Sequence, residues 1–194
     1  MIGNYIKAVA TAVNRTTAQL MKTGQTTSYR TGDDGDLERG RNVSFTTLAE
    51  NNPFGNTNRF TDELGTQIYT KNIVIDWSTY NGSTVLGWRR TTSVAAWNAS
   101  IDGALVVSIA PFTSGWRLPN TKEIINLFNY ELTWPLSYNP FNLSFSLWTS
   151  TTAPGNTPEA LTAESFGRLL SSAKTSAFRY IPCRTFTVTG TTLS

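Results

Sequence analysis

Residues 115–125 read GWRLPNTKEII, and this stretch predicts a loop, a proline turn and the start of a helix. Pro119 fixes its own φ angle and moves the preceding residue away from helical geometry. Asn120 is a typical N-cap residue, and Glu123 stands three residues later, where it completes a capping box. The pattern therefore predicts a helix that begins after Asn120 and continues to about Glu131.

Large apolar side chains lie on both sides of this turn. Four of them follow a helical period and are expected to share one buried face, namely Ile124, Ile125, Leu127 and Phe128. Trp116 and Leu118 precede the turn, and we expect them to be buried beside the helix. Arg117 is expected to form an ion pair with Glu123 or Glu131. The stretch is thus expected to stabilise the fold.

Further landmarks occur in order along the chain. They are TGQTT at 23–27, GDDGD at 32–36, RFTD at 59–62, LWTSTT at 147–152 and FRYIPCR at 178–184. Together with residues 115–125, they resemble the DUF1566 family, also called the Lcl C-terminal domain family. The resemblance covers about residues 23–188 and implies a C-type lectin-like fold, found in secreted bacterial proteins and phage proteins. The signature residues to which we assign a structural role are Trp116, Arg117, Leu118, Pro119, Glu123, Trp148 and Cys183.

The other patterns predict strands with one more helix. Residues 66–90 predict a β-hairpin with a turn at Asn81-Gly82. Ser93 is predicted to cap a helix that runs through Asp102 and stops at Gly103. The remaining predicted elements are strands at 104–110, 148–152 and 178–188, and a loop at 154–175 with a short helix near 164–170.

These elements indicate the α+β class. We expect residues 23–194 to form one C-type lectin-like domain of twisted antiparallel sheets with two helices. An N-terminal helical arm, residues 1–22, precedes it. The apolar residues at near-helical spacing in this arm are Ile2, Tyr5, Ile6, Val9 and Val13. A helix this short and Thr-rich needs a surface to pack on, which is either its own domain or a partner chain.

Composition argues against several classes of function. The chain has no His and a single Cys, which removes His-dependent catalysis, His-ligated metal sites and intrachain disulfides. Cys183 is expected to be a small buried hydrophobe; in the resembling family this position often has a cysteine partner, which is absent here. With 16 basic and 13 acidic side chains and no basic cluster, nucleic-acid binding is not expected. No apolar run reaches the length of a membrane span.

Two loop regions are candidates for ligand contacts. Aromatic and amide side chains mix in the segment after the predicted helix, as they do in binding loops. The candidate ligand-binding residues are Tyr138, Asn139, Phe141 and Asn142 in this segment, together with Asn156 from the next loop. For Phe141 a place in the core is the alternative. The Asp33–Asp36 segment fits either a solvated turn or a calcium ligand set, although it lacks a complete calcium loop.

These observations predict a non-enzymatic phage virion protein without a cofactor or metal. It would be a tail or fibre-tip component or a capsid decoration, would contact other virion proteins through the arm, and would display its loops to a host glycan or protein. The start of the sequence does not resemble a signal peptide, so assembly in the host cytoplasm is expected. A homo-oligomer or a larger assembly is also expected. The alternative is a secreted or surface adhesin that binds glycan or matrix.

Overall fold

A computed structural model describes residues 27–37, 46–48, 50–66, 72–128, 141, 145–155 and 157–194. The predicted arm, residues 1–22, lies outside the described residues. The arm therefore stays a prediction, together with its candidate anchoring residues Ile2, Tyr5, Ile6, Val9 and Val13.

Within this part of the chain, ten strands form two five-stranded sheets. The first sheet has the order β1-β2-β3-β9-β10, and all its neighbouring strands are antiparallel. Its strands are β1 (Phe60–Thr61), β2 (Ile73–Asp76), β3 (Thr84–Arg89), β9 (Cys183–Thr189) and β10 (Thr192–Leu193). The first and the last strand of the described sequence thus belong to one sheet.

The second sheet consists of strands that lie between β3 and β9 in the sequence. Its order is β4-β8-β5-β6-β7. The strands are β4 (Ser93–Ala95), β5 (Leu147–Thr152), β6 (Glu159–Ala163), β7 (Leu169–Ala173) and β8 (Phe178–Tyr180). Its pairs are antiparallel except for β5 and β8, which run parallel with Leu147 opposite Arg179.

Two helices and one helical turn complete the described elements. The turn α1 spans Asp34–Leu37, helix α2 spans Trp97–Leu105 and helix α3 spans Thr121–Ile125. A 3₁₀ turn, Trp77–Thr79, follows β2. Mostly antiparallel sheets with two helices confirm the predicted α+β class.

Of the hairpin predicted at 66–90, residues 67–71 lie outside the described part, and the rest is confirmed by strands β2 and β3, with Asp76 opposite Leu86. In its turn, Asn81 Oδ1 accepts hydrogen bonds of 3.0 and 2.8 Å from the backbone N–H groups of Ser83 and Thr84. Gly82 has a φ of 98°, which glycine adopts without the steric penalty of a side chain. All four residues of β2 are buried, so this strand is covered on both faces.

The predicted start and end of helix α2 were wrong. Ser93 lies in β4, where it pairs with Tyr180 of β8, and the helix begins after Ala96 without a side-chain cap. Gly103 lies inside the helix and does not end it. A Cβ atom at Gly103 would lie 2.3 Å from the hydroxyl oxygen of Tyr180, so the glycine allows this ring to pack close to the helix.

Three further strand and loop predictions need correction. Residues 104–110 do not form a strand, because α2 continues to Leu105 and only Ile109 makes an isolated bridge. The predicted loop and helix at 154–175 are a hairpin, β6–β7, whose turn is closed by a 2.7 Å bond from Glu164 N–H to the Arg168 carbonyl. The predicted strand at 178–188 is split at Pro182, which has no N–H to donate.

Helix α3 is shorter than predicted. After Ile125, the N–H groups of Leu127 and Phe128 bond to the carbonyls three residues before them, which tightens the chain into a turn. Ile125 is 37% exposed, so the prediction that it shares the buried face was wrong. The other three predicted positions are buried, and they pack in one core cluster with Trp88, Leu147 and Cys183.

Candidate functional site

The signature turn forms as predicted at the start of α3. The Asn120 side chain accepts the Glu123 N–H at 3.0 Å, and Glu123 Oε2 accepts the Asn120 N–H at 2.8 Å. This reciprocal pair satisfies two N–H groups that the first helical turn leaves free. The predicted capping box is therefore confirmed, and Pro119 is buried just before it.

Glu123 also binds Arg117 in a two-point ion pair. Nη1 of Arg117 lies 2.8 Å from Oε2, and Nη2 lies 2.5 Å from Oε1. Burial alone would raise the pKa of Glu123, but hydrogen bonds from Arg117 and Asn120 lower it overall. The hydrogen bond to Glu123 raises the pKa of Arg117, so both groups are held in their charged forms.

The structure brings the separate signature segments together. Arg117 and Cys183 exchange two backbone hydrogen bonds of 2.9 Å, which fix the turn to β9. Ser150, in the strand that carries Trp148, donates its N–H to the Pro119 carbonyl at 2.8 Å. Trp148 is fully buried and donates its indole N–H to Ala95 at 3.0 Å. The signature therefore joins both sheets to α3.

Cys183 and Trp116 are buried within this junction. Cys183 is not exposed, and burial raises the pKa of its thiol to about 12. Trp116 is 1% exposed and donates its indole N–H to the Phe112 carbonyl at 2.9 Å. Both side chains fill the core, as the sequence indicated.

A second ion pair, which the sequence analysis missed, lies near the end of α3. Arg59 and Asp76 are 2% and 0% exposed, and two bonds of 2.9 Å join them. Asp76 Oδ1 also accepts the Ser78 hydroxyl at 2.6 Å, and Arg59 Nη2 donates to the Asn126 carbonyl at 2.7 Å. The pair therefore links β2 to the residue that follows α3.

Of the five candidate ligand-binding residues, only Phe141 lies in the described part of the chain. Phe141 is 8% exposed and packs edge-on against Phe60 and Trp88, so it lies in the core and not on a binding surface. The large aromatic ring fills the space beside the first sheet. This agrees with the alternative interpretation of Phe141 as a core residue. The other four candidates lie outside the described residues, namely Tyr138, Asn139, Asn142 and Asn156.

The Asp33–Asp36 segment forms a hydrogen-bonded turn. The Asp33 carboxylate accepts N–H bonds from Tyr29 at 2.7 Å, Arg30 at 3.0 Å and Asp36 at 2.9 Å. The bond from Tyr29 is the main reason that the pKa of Asp33 is lowered. These bonds occupy the oxygens that a cation would need, so they support the turn interpretation over the calcium one.

A groove of about 330 Å³ lies between the loop before Gly115 and strands β9 and β10. Its lining residues are Pro111, Phe112, Thr113, Ser114, Arg184, Leu193 and Ser194. The Arg184 guanidinium lies over two rings, 5.1 Å from the centroid of Phe112 and 4.8 Å from that of Phe186. It is the charged side chain of this groove.

No pattern in the sequence indicated this groove. Arg184 appeared only as part of the closing strand, and Phe112 is far from it in the sequence. One available signal was the spacing of Arg184 and Phe186, which are two residues apart and therefore lie on one face of a strand. That signal does not indicate which loop covers the face.

Comparisons with family models and with curated proteins do not assign the chain to a family. No family model matches the chain, and no curated protein matches it. Among the described residues, none of the helices has the length and apolar character needed to cross a membrane.

Proposed function

We propose that the chain is a non-enzymatic component of a phage virion that carries a C-type lectin-like domain of the Lcl C-terminal type. Residues 1–22 would attach it to other virion proteins, and loops of the domain would contact the host surface. The proposal rests on the order of the sequence landmarks and on one structural observation. The charged residues of the signature, Arg117 and Glu123, bind each other, and Glu123 also caps α3 together with Asn120.

This observation favours a structural role for the signature over a catalytic one. A catalytic carboxylate needs an accessible oxygen and a pKa suited to proton transfer. Both oxygens of Glu123 accept bonds from Arg117, and one also accepts the Asn120 N–H. A rigid junction with variable loops around it is the usual arrangement of a recognition domain.

Phe141 supports display by the segment around it. Phe141 itself is held in the core, and Tyr138, Asn139 and Asn142 are its near neighbours in the sequence. A segment fixed at an aromatic anchor loses less conformational entropy on binding than a free loop does. These three residues therefore remain the candidates for host contact.

The first experiment locates the protein. Antibody raised against the full chain is used for immunogold electron microscopy of purified phage particles and of whole bacteria that carry the gene. We expect labelled particles, concentrated at one structural position such as the tail tip. Label on the bacterial surface with unlabelled particles would overturn the virion proposal and favour the adhesin.

The second experiment tests host contact. Soluble full-length protein is added to host cells before phage, and we expect it to reduce phage adsorption. A triple variant, Tyr138→Ala/Asn139→Ala/Asn142→Ala, should lose this competition and keep the wild-type melting temperature. Thr185→Ala/Thr187→Ala on the exposed face of β9 is the matched control and should compete normally. Equal adsorption with and without wild-type protein would contradict the receptor-binding role.

A further inference from the structure

We infer that the Arg184 groove binds a sugar that bears a carboxylate, such as a uronic acid. The inference deepens the proposed host attachment, and it rests on that proposal only for the biological source of the sugar. It depends on the charge of Arg184, on how firmly its guanidinium is held, and on the groups around it.

Arg184 differs from the three arginines that form ion pairs. Arg59, Arg117 and Arg168 each pair with a carboxylate at 2.9 Å or less. Within the described part of the chain, Arg184 has no such partner, and its Nη1 is buried without a hydrogen bond. Nη1 itself is closed to solvent, but Arg184 is only partly buried, so an anion in the groove would bind the accessible part of the guanidinium and supply the missing ion-pair partner.

The guanidinium is also held in position before any ligand arrives. Phe112 and Phe186 support it, and their own rings pack edge-on with centroids 4.8 Å apart. Gly115 adjoins Arg184, and a Cβ atom there would lie 3.2 Å from Arg184 Nε. Because the side chain is already ordered, binding loses little rotamer entropy, and the accessible N–H groups of the planar guanidinium can donate hydrogen bonds to a carboxylate.

The rest of the groove suits a sugar ring. Thr113, Ser114 and Ser194 are exposed and offer hydroxyl groups, which can donate to or accept from the hydroxyls of a sugar. Pro111 and Leu193 supply an apolar surface for the C–H groups of the ring. A volume of about 330 Å³ is at the lower end of small-molecule sites, which fits one sugar unit better than a chain.

The test uses the ¹⁵N-labelled full chain with an N-terminal tag, so that nothing is added beside Ser194. Sodium glucuronate is titrated, and the Nε–H resonance of Arg184 is followed by NMR. We expect a saturable shift of this resonance and weaker or no shifts with glucose, sodium acetate and sodium sulfate. Glucose binding as tightly as glucuronate would overturn the role of the charge. Equal binding of acetate or sulfate would overturn the assignment of a sugar.

Two variants locate the binding. Arg184→Gln should weaken glucuronate at least 10-fold, whereas Arg168→Gln, which lies in the β6–β7 turn, should bind as the wild type does. Arg184→Lys keeps the charge and the packing of the alkyl chain, so it covers the case in which the Gln variant does not fold. We expect it to bind glucuronate several-fold more weakly, because an ammonium lacks the planar array of N–H groups. Wild-type affinity in Arg184→Lys and Arg184→Gln would overturn the inference.

The virion role and the sugar-binding role of the groove can be overturned independently of each other. Glucuronate binding with unlabelled phage particles would overturn the virion role and leave the groove assignment intact. Labelled particles without glucuronate binding would overturn the groove assignment alone.

Discussion

Arg59 donates a hydrogen bond of 2.7 Å to the carbonyl oxygen of Asn126, the residue that follows α3. The last carbonyls of a helix have no partner within the helix, and a cation near them is favourable. The same guanidinium is paired with Asp76 of β2. Helix α3 is therefore held at its start by Glu123 and Arg117 and at its end by Arg59.

Loss of one partner of the buried pair should strongly destabilise the protein. Arg59→Ala leaves Asp76 charged and buried, and we expect a loss of about 3–5 kcal/mol in the free energy of unfolding by urea. Arg168→Ala breaks the more exposed pair with Glu164 and should cost about 0.5 kcal/mol or less. Equal effects of the two substitutions would show that burial of the Arg59 pair is not what matters.

The Arg117–Glu123 pair should make stability depend on acid pH. The pKa of Glu123 is lower in the folded protein than in the unfolded chain. The Glu123 charge therefore stabilises the fold at a pH above its pKa in the unfolded chain, and this stabilisation is lost as the pH falls through its pKa in the folded protein. Glu123→Gln keeps a capping side chain without the charge. We expect it to be less stable by about 1 kcal/mol at neutral pH.

The measurement is urea unfolding of both proteins between about pH 7 and pH 3. The difference between wild type and Glu123→Gln should be constant down to about pH 5 and should shrink below that. A difference that is the same at every pH would contradict a contribution from the carboxylate charge.

Gly103 should resist the substitution that usually stabilises helices. Alanine is normally favoured over glycine inside a helix by about 1 kcal/mol. Here its Cβ would lie 2.3 Å from the hydroxyl oxygen of Tyr180, so we expect Gly103→Ala to lose about 1–3 kcal/mol. Thermal unfolding of Gly103→Ala, Tyr180→Phe and the double variant checks this. In the Tyr180→Phe background the substitution should cost less, and an equal cost in both backgrounds would contradict the clash.

Cys183 should be unreactive while the protein is folded. Its thiol is fully buried and its pKa is raised to about 12, so few molecules carry an accessible thiolate near neutral pH. We expect labelling by iodoacetamide at about pH 8 to be at least 100-fold slower in buffer than in urea. Fast labelling in buffer, with an unchanged circular dichroism spectrum, would show that this junction opens without global unfolding.

The start of α3 could be predicted because its determinants are local. Pro119, Asn120 and Glu123 act within five residues, and their hydrogen bonds form as the sequence indicates. The end of the helix could not be predicted in this way. The residue that binds the Asn126 carbonyl, Arg59, lies 67 positions away in the sequence.

The same limit explains the errors in the second sheet. Ser93 has the chemistry of a helix cap, but its pairing with Tyr180 places it in a strand, and no local pattern contains that partner. The hairpin β6–β7 was predicted as a loop with a short helix; its strands read EALTA and LLSSA and contain Ala and Glu, which have weak strand preference. Tertiary pairing with β5 decides their conformation.

The candidate site was the least predictable part. Aromatic side chains were considered for binding by composition, but burial decides the role of Phe141 and cannot be read from residue type alone. Arg184 was not considered, although its position on β9 two residues before Phe186 is visible in the sequence. Its missing carboxylate partner is a three-dimensional property.

The connection between the sheets has a consequence for how this protein can change. The chain leaves β3 at Arg89 and returns in β9 at Cys183, and these two strands are direct neighbours. Everything between them is therefore an insertion whose two ends meet at adjacent points. Loops in that insertion can therefore be lengthened or replaced without breaking the pairing of β3 and β9. The same arrangement delays folding, because β3 must wait for a strand that is more than 90 residues further along the chain.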